Sequence, residues 1–300
     1  MPEVSVVIPA YNAEPTLSET LASVCAQTFS DIEVIVIDDG STDGTAALVR
    51  GWQDPRVRVV SVPQGGVARA RNTGIELSTG AFVAFIDADD MWLPAKLERQ
   101  LEAIRAPGDH GMCVTAAIRV DARGAELAPI PVVQTDDYCK ALLLDSMVAG
   151  CLSSGLVRRS AIERSGAFNP ALSQCADWDL WLRLSRVTTF AVVPGELVLY
   201  RVHANNMSAD ISLLERDTFG VLDAFFSDVA STPYRRLRRR VYSNHRLICS
   251  GSYLHAGRFV DAVRCLIVGL ATYPPNIGRV LARAPWRMRR TTQAPRSSTR

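Results

Sequence analysis

Apolar residues in the first hundred positions fall into short unbroken runs, with helically spaced stripes between them. VSVVIP at 4–9, IEVIVID at 32–38, VRVVSV at 57–62 and the stretch at 81–87 each read as a strand. Continuous apolar runs of this length suit strands covered on both faces. Between them, Leu17, Leu21, Val24 and Cys25 recur at helical spacing, as do Leu48, Val49 and Trp52, and later Leu97, Leu101 and Ile104. Residues 66–78 predict a loop and a short helix. Such alternation predicts an α/β fold, a mostly parallel sheet with helices on both faces.

The pattern loosens beyond Met112. MCVTAAIRV at 112–120 reads as a strand, Asp121–Gly124 as a turn, Tyr138–Leu144 as a helix and SSGLVRR at 153–159 as a strand. Trp178–Leu184 reads as a helix, and TFAVVPGELVLYRVH at 189–203 as two strand-like pieces. From about Leu213 the signal is helical, with breaks expected at Pro233 and near Gly251, and Pro274-Pro275 closing the last helix. The organisation expected is a catalytic domain at 1–210, an Arg-rich helical extension at 211–290 and a disordered tail at 291–300. The catalytic domain divides into halves at 1–110 and 111–210. No internal repeat is evident.

Charge sharpens this division. Residues 1–217 hold 18 Lys+Arg against 28 Asp+Glu, a balance of −10, whereas residues 218–300 hold 15 against 3, a balance of +12. An acidic body with a basic end implies two different partners. The seven cysteines include no C-x-x-C pair, which argues against a zinc site or disulfide framework and for buried thiols in a reducing compartment. MPEVSVVIPAYN lacks a basic leader segment, and CLIVGLATY at 265–273 is too short to span a bilayer, so a protein of the cytoplasm is expected.

The chemistry concentrates at FVAFIDADD, residues 82–90, where a buried strand runs into Asp87, Asp89 and Asp90. Three carboxylates at the carboxyl end of a sheet strand lie where open α/β sheets bind ligands, and a hard divalent cation, Mg²⁺ or Mn²⁺, would relieve their repulsion. A plain polar turn is the competing explanation. Three further motifs precede it. PAYN at 9–12 offers backbone groups and the stacking face of Tyr11. DDGSTDG at 38–44 offers a tight turn, with Asp39 as an acceptor for a base N–H. ARARNTG at 68–74 offers Arg71 to neutralise a diphosphate, a solvated helix charge being the other reading.

In this order, VSVVIPAYN, VIDDGSTDGT, GVARARNTG and TGAFVAFIDADDMW resemble the N-terminal half of the family 2 glycosyltransferases, which have the GT-A fold. The resemblance continues through SSGLVRRSAIERSGAFNPAL, ADWDLWLRL and YRVHANNMS, about two-thirds of the chain. It implies an inverting transfer of a sugar from a nucleotide-sugar donor (a UDP-, GDP- or dTDP-sugar) to an acceptor hydroxyl. By similarity, Pro9, Ala10, Tyr11 and Asp39 would hold the base and ribose. Arg71 would lie near the diphosphate and Asp87 near the ribose or sugar. Asp89 would bind the metal, with His203 of the Tyr-Arg-x-His segment approaching it, and Asp177 would be the general base.

Single displacement chemistry asks for this division: a carboxylate to take the acceptor proton, and positive charge opposite it for the departing diphosphate. Asp179 rivals Asp177, but two residues on a helix point about 200° apart, so only one can face the cleft. The position before Asp177 is often Glu in the family and is Ala176 here, which puts acceptor chemistry in doubt more than donor binding. Q-x-x-R-W, carried by processive members, is absent, so transfer of a single sugar is expected. Two alternatives remain open. A nucleotidyltransferase should show a Gly-rich basic loop after strand one, and PAYNAEP has none. An inactive nucleotide-sugar-binding protein is the other. The arginines of YRRLRRRVY at 234–242 and those from Arg279 to Arg290, interleaved with Leu281, Trp286 and Met288, suit an anionic membrane surface and a lipid-linked glycan acceptor. A solvated face against the acidic body is the other reading, and nucleic acid is disfavoured for want of a binding motif.

Overall fold

The computed structural model describes residues 1–203 and 210–278. The end of YRVHANNMS, the arginines from Arg279 to Arg290 and the tail 291–300 therefore lie outside the described residues. The chain forms two compact units, Met1–Asp217 and Thr218 onward.

The first unit opens with β1 (Val4–Ala10), α1 (Glu14–Cys25), β2 (Ile32–Asp38), α2 (Thr45–Arg50), β3 (Val57–Ser61), α3 (Val67–Leu77) and β4 (Phe82–Phe85). These four strands pair in parallel in the order β3-β2-β1-β4. Alternation along each strand serves two faces. Val4, Val6 and Ile8 of β1 pack with Leu17, Leu21 and Val24 of α1, whereas Ile35 and Ile37 of β2 face Ala70 of α3. That is why the runs are apolar throughout rather than alternating.

It continues with β5 (Met91–Trp92), α4 (Lys96–Arg105), β6 (His110–Val120), β7 (Glu126–Ile130), α5 (Tyr138–Leu144), β8 (Gly155–Arg158), α6 (Arg159–Ser165), α7 (Ala176–Leu184) and β9 (Thr189–Arg201), and the boundary between the units falls within α8 (Ile211–Ser227). Past β4 the sheet runs β8-β6-β9-β5, with β7 paired to β6. Strand β8 is antiparallel to β4 and to β6, while β6 and β9 are parallel. The α/β sheet is thus parallel in its first half and mixed in its second. One consequence positions the site. The carboxyl ends of β1, β2, β4 and β9, together with the amino end of β8, all open on one edge, so their loops converge there.

The second unit contains a 3-10 segment (Val229–Leu237), α9 (Arg238–His255) and α10 (Phe259–Thr272). Two expectations are corrected. Residues 189–201 form one strand, with register shifts opposite Thr115–Ala117 where Gly195 takes a φ of 104°. Helix α9 runs unbroken through Gly251 to His255, and Gly257, just past its cap, takes a φ of 72°, the left-handed conformation that closes helices. All seven cysteines are free, and six are buried. Among the described residues, no helix is long and apolar enough to cross a membrane.

Candidate active site

The loops after β1 and β2 are laced together. Asn12 Oδ1 accepts from Thr42 N at 2.8 Å, Ala13 N donates to Thr45 Oγ1 at 2.9 Å, and Gly44 N donates to Glu14 Oε2 at 2.8 Å. Pro9 and Ala10 are the buried last residues of β1, paired with Ile37 and Asp38, so only their backbones can face a ligand. Tyr11 is 48% exposed. Asp39 is buried and accepts from Gly65 N and Gly66 N at 2.8 and 2.9 Å, one to each carboxylate oxygen. It thereby anchors the turn that starts α3, while each oxygen retains a further lone pair.

Arg71 sits on α3 with its side chain almost fully buried. Helix α3 lies directly on β1 because Gly74, one turn later, has no side chain: a Cβ there would come within 2.2 Å of Val7 Cγ1. The guanidinium donates from Nη2 to Asp87 Oδ1 at 2.7 Å and stacks 5.4 Å from the Phe168 ring centroid. Asn72 holds Phe168 in place through both its backbone N–H and carbonyl, each at 2.9 Å. Arg71 Nε is buried without a hydrogen-bond partner.

The three carboxylates of the acidic turn divide their labour. Asp87 meets Arg71. Asp89 Oδ2 meets His203 Nε2 at 2.8 Å, both side chains remaining partly exposed. Burial and the neighbouring Asp87 charge push the Asp89 carboxyl up, against His203, which pulls it down. Asp90 is buried, accepting from Ser153 Oγ at 2.5 Å and from Arg201 N at 3.0 Å. Burial, then the charges of Asp89 and Asp87, hold it well above the usual carboxylate range. The turn is gripped from the other side by Thr16 and Thr20 of α1, which donate to the Ala88 carbonyl at 2.9 and 3.0 Å.

Asp177 is in the first turn of α7, its Oδ1 accepting from Trp178 N at 2.8 Å. Burial pushes its carboxyl up; the Arg71 charge opposes this, and Asp87 adds to it. Asp177 thus lies close enough to Arg71 and Asp87 for both charges to act on it. Its rival Asp179 is held by Arg183 at 2.7 Å, and Arg183 also binds the carbonyls of Ser165, Gly166 and Ala167. Ala176 is fully buried, so a Glu in its place would need a different packing.

Four further residues, which the sequence pattern did not mark as partners of the site, complete this edge. Ser153 donates to Asp90, accepts from Asp87 N at 3.1 Å, and its carbonyl accepts from Trp92 Nε1 at 2.8 Å. Beneath Trp92, the buried ammonium of Lys96 lies 3.9 Å from the ring centroid, burial drawing its pKa down to about 7. Arg201 ties the end of β9 to the turn through the Asp89 carbonyl at 3.0 Å and through Glu19. Cys151 is buried among the charges of Asp90, Asp87 and Asp177, which, after burial itself, raise its thiol well above the ordinary range. Only the crossing of β8 and β9 to this edge reveals these partners. Replacing Ser153 by Ala should cost about 1–3 kcal/mol of stability, because Asp90 loses its buried donor. It should raise the KM for donor more than it lowers kcat. Urea unfolding and steady-state kinetics measure both.

A divalent cation fits the pair formed by Asp89 and His203. Among the described residues no group of three His, Cys, Asp or Glu is placed to hold a metal; this pair would offer one oxygen and one nitrogen ligand. Oxygen-loving cations that share themselves with phosphates and water need no more. Adjacent ligands about a cation at ~2.1 Å stand ~3 Å apart, and the two side chains meet at 2.8 Å.

Residues 5–165 match the model for glycosyl transferase family 2. The chain belongs to that family. The Escherichia coli UDP-Glc:alpha-D-GlcNAc-diphosphoundecaprenol beta-1,3-glucosyltransferase WfgD is 41% identical over 99 residues, covering 33% of this chain and 39% of that protein. Escherichia coli chondroitin synthase is 28% identical over 244 residues, 78% of this chain and 34% of that protein. Relatives from Rickettsia bellii and Rickettsia prowazekii, both uncharacterized glycosyltransferases, are covered over 36% and 65% of their own lengths, so the chain spans only part of the proteins it matches. Among solved structures, the mannosyltransferase PcManGT from Pyrobaculum calidifontis, in complex with GDP-Man and Mn²⁺, superposes with a TM-score of 0.64 at 19% identity, covering 97% of this chain and 83% of that one. S. aureus TarS gives 0.63 at 18% identity, over 91% of this chain and 54% of that one. The fold is GT-A.

Proposed function

We propose that this chain transfers a single sugar from a nucleoside-diphosphate sugar to an acceptor hydroxyl, with inversion, in the synthesis of a cell-envelope polysaccharide or glycolipid. The observation that carries the reading is the convergence, on one sheet edge, of Arg71–Asp87, Asp89–His203 and a separate Asp177. Solved relatives in complex with UDP-GlcNAc and GDP-Man support the donor class.

The residues divide the reaction as follows. Pro9 and Ala10 offer backbone, Tyr11 a stacking face and Asp39 an acceptor to the base and ribose. Asp87 orients Arg71 and faces the sugar, and the Arg71 guanidinium beside it offsets the charge of the diphosphate. Asp177 takes the proton of the acceptor hydroxyl as that oxygen bonds to the anomeric carbon. The bond from that carbon to the diphosphate oxygen breaks with its electron pair leaving on the diphosphate, which is displacement from the opposite face and hence inversion. A divalent cation, Mn²⁺ or Mg²⁺, held by Asp89 and His203 would supply positive charge to the leaving diphosphate. Burial of Asp177 suits its task, since a carboxyl raised toward neutrality is a stronger base.

The acceptor we assign is a glycan carried on a lipid diphosphate, with the protein peripheral on the inner face of the cytoplasmic membrane and its Arg-rich region against the lipid. WfgD, by its name, acts on such an acceptor. Donor binding is tested by a thermal-shift screen of nucleoside diphosphates and nucleotide-sugars with and without Mn²⁺, since a ligand bound to the folded state raises its melting temperature. One nucleotide should stabilise the protein in a metal-dependent way. Stabilisation by none of them would remove the donor assignment, and release of pyrophosphate from a nucleoside triphosphate would favour a nucleotidyltransferase.

A further inference from the structure

Helix α10 is built the wrong way round for a helix of a water-soluble protein. The residues it turns inward are small: Ala262, Cys265 and Gly269 are buried, and a Cβ on Gly269 would come within 3.1 Å of Arg246 Cβ and 3.3 Å of the Ser243 carbonyl of α9. Its large apolar residues face out, with Phe259 65%, Val260 84%, Val263 52% and Ile267 62% exposed, and Ile277 beyond the helix 54% exposed. A globular helix puts its large side chains in the core and polar ones outside. Small residues between helices and large ones pointing away is instead the arrangement of helices that meet lipid, where close backbone approach drives packing.

We propose that the outward face of α10 lies on an anionic lipid bilayer, parallel to its plane. This rests on the membrane part of the reading above and is independent of the transfer chemistry. Basic residues stand at both ends and midway along this helix. Arg258 stands at the start of α10, Arg264 projects midway, and Arg239 of α9 donates from Nε to the Thr272 carbonyl at the far end at 2.9 Å. The single acidic residue of the helix, Asp261, is paired with Arg258 at 2.7 Å and with Arg264 at 3.6 Å. Fourteen residues make a helix about 21 Å long, short of the ~30 Å hydrocarbon core, so it lies in the interface and does not cross it. Charge decides between lipid and a second copy of the chain. With Arg258, Arg264 and Arg239 standing by this helix against the single Asp261, a symmetric contact through it would bring like charges together, whereas anionic headgroups complement them.

The test is co-sedimentation of the full chain and its Val263→Glu/Ile267→Glu variant with vesicles of phosphatidylcholine alone or with about 30% phosphatidylglycerol. The wild type should bind the anionic vesicles, and the variant should lose at least about tenfold in partitioning, as expected when a charge enters an interfacial apolar face. Its nucleotide-dependent thermal shift should be unchanged, which separates failure here from failure of the transfer reading. Because both positions are exposed the variant should fold; if it does not, Val263→Ser/Ile267→Ser makes the same comparison. Equal binding by variant and wild type would overturn the proposal, as would no binding by the wild type. A wild-type dimer in sedimentation velocity that the variant turns into a monomer would also overturn it, assigning the face to self-association. So would loss of binding only when residues 279–300 are deleted, with α10 substitutions harmless.

Discussion

Asp177→Asn should lower the rate of sugar transfer by about 10²–10⁴-fold, the usual contribution of a positioned general base, while leaving the nucleotide-dependent thermal shift intact. Asparagine keeps the size of the side chain and can still accept from Trp178 N, so the helix start survives. The pH profile carries a second signature. Burial pushes the Asp177 carboxyl above its ordinary 3.8, with Arg71 moderating the rise. Only the ionised form accepts a proton, so kcat/KM should fall as pH drops through that raised value, at a higher pH than for a free carboxylate. Stability should move the other way. In the window between 3.8 and the raised value the native state binds more protons than the unfolded one, so this group makes stability decline as pH rises. Above the window the wild type bears a buried carboxylate that the variant lacks. The variant should therefore melt no lower than wild type at neutral pH, and gain nothing at pH below 3.8. A residue retained for structure would show the opposite.

Asp89→Asn should remove the metal-dependent part of nucleotide stabilisation and reduce transfer by about 10²–10³-fold, the scale seen when one charge-stabilising group is lost. The metal-independent part of the thermal shift should persist, because Tyr11, Asp39 and Arg71 lie on other elements. His203→Ala should shift the Mn²⁺ dependence in the same direction. If neither variant altered the Mn²⁺ response, Asp89 and His203 would form an ordinary hydrogen-bonded pair. Titrating Mn²⁺ against melting temperature at saturating nucleotide reads both.

The parallel half of the sheet was legible because its strands are covered on both faces, and continuous apolar runs such as IEVIVID have no other ready explanation. The mixed half was less so. Met91–Trp92 is too short to show a period, and four of the five residues of Glu126–Ile130 are exposed, so no apolar face marks that strand. Glycine misled at Gly251, which packing tolerates inside α9, while Gly257 six residues on takes the left-handed turn. The acidic turn stood out as three carboxylates closing a buried strand, but its internal division did not. That division depends on Arg71 reaching Asp87, on Ser153 and Arg201 capturing Asp90, and on β9 delivering His203 to Asp89 across 114 residues of chain. Nor did the pattern show which acid of α7 is committed elsewhere; the Arg183 bridge to Asp179 does so.

The most direct test of the central claim is to incubate the protein with Mn²⁺, the nucleotide-sugar that stabilises it and a lipid-diphosphate-linked sugar acceptor, then resolve the product by NMR. The expected product carries one added sugar per acceptor, with an anomeric configuration opposite to that of the donor, and one nucleoside diphosphate is released per transfer. Retained configuration, or a donor that binds without ever releasing nucleoside diphosphate, would contradict it.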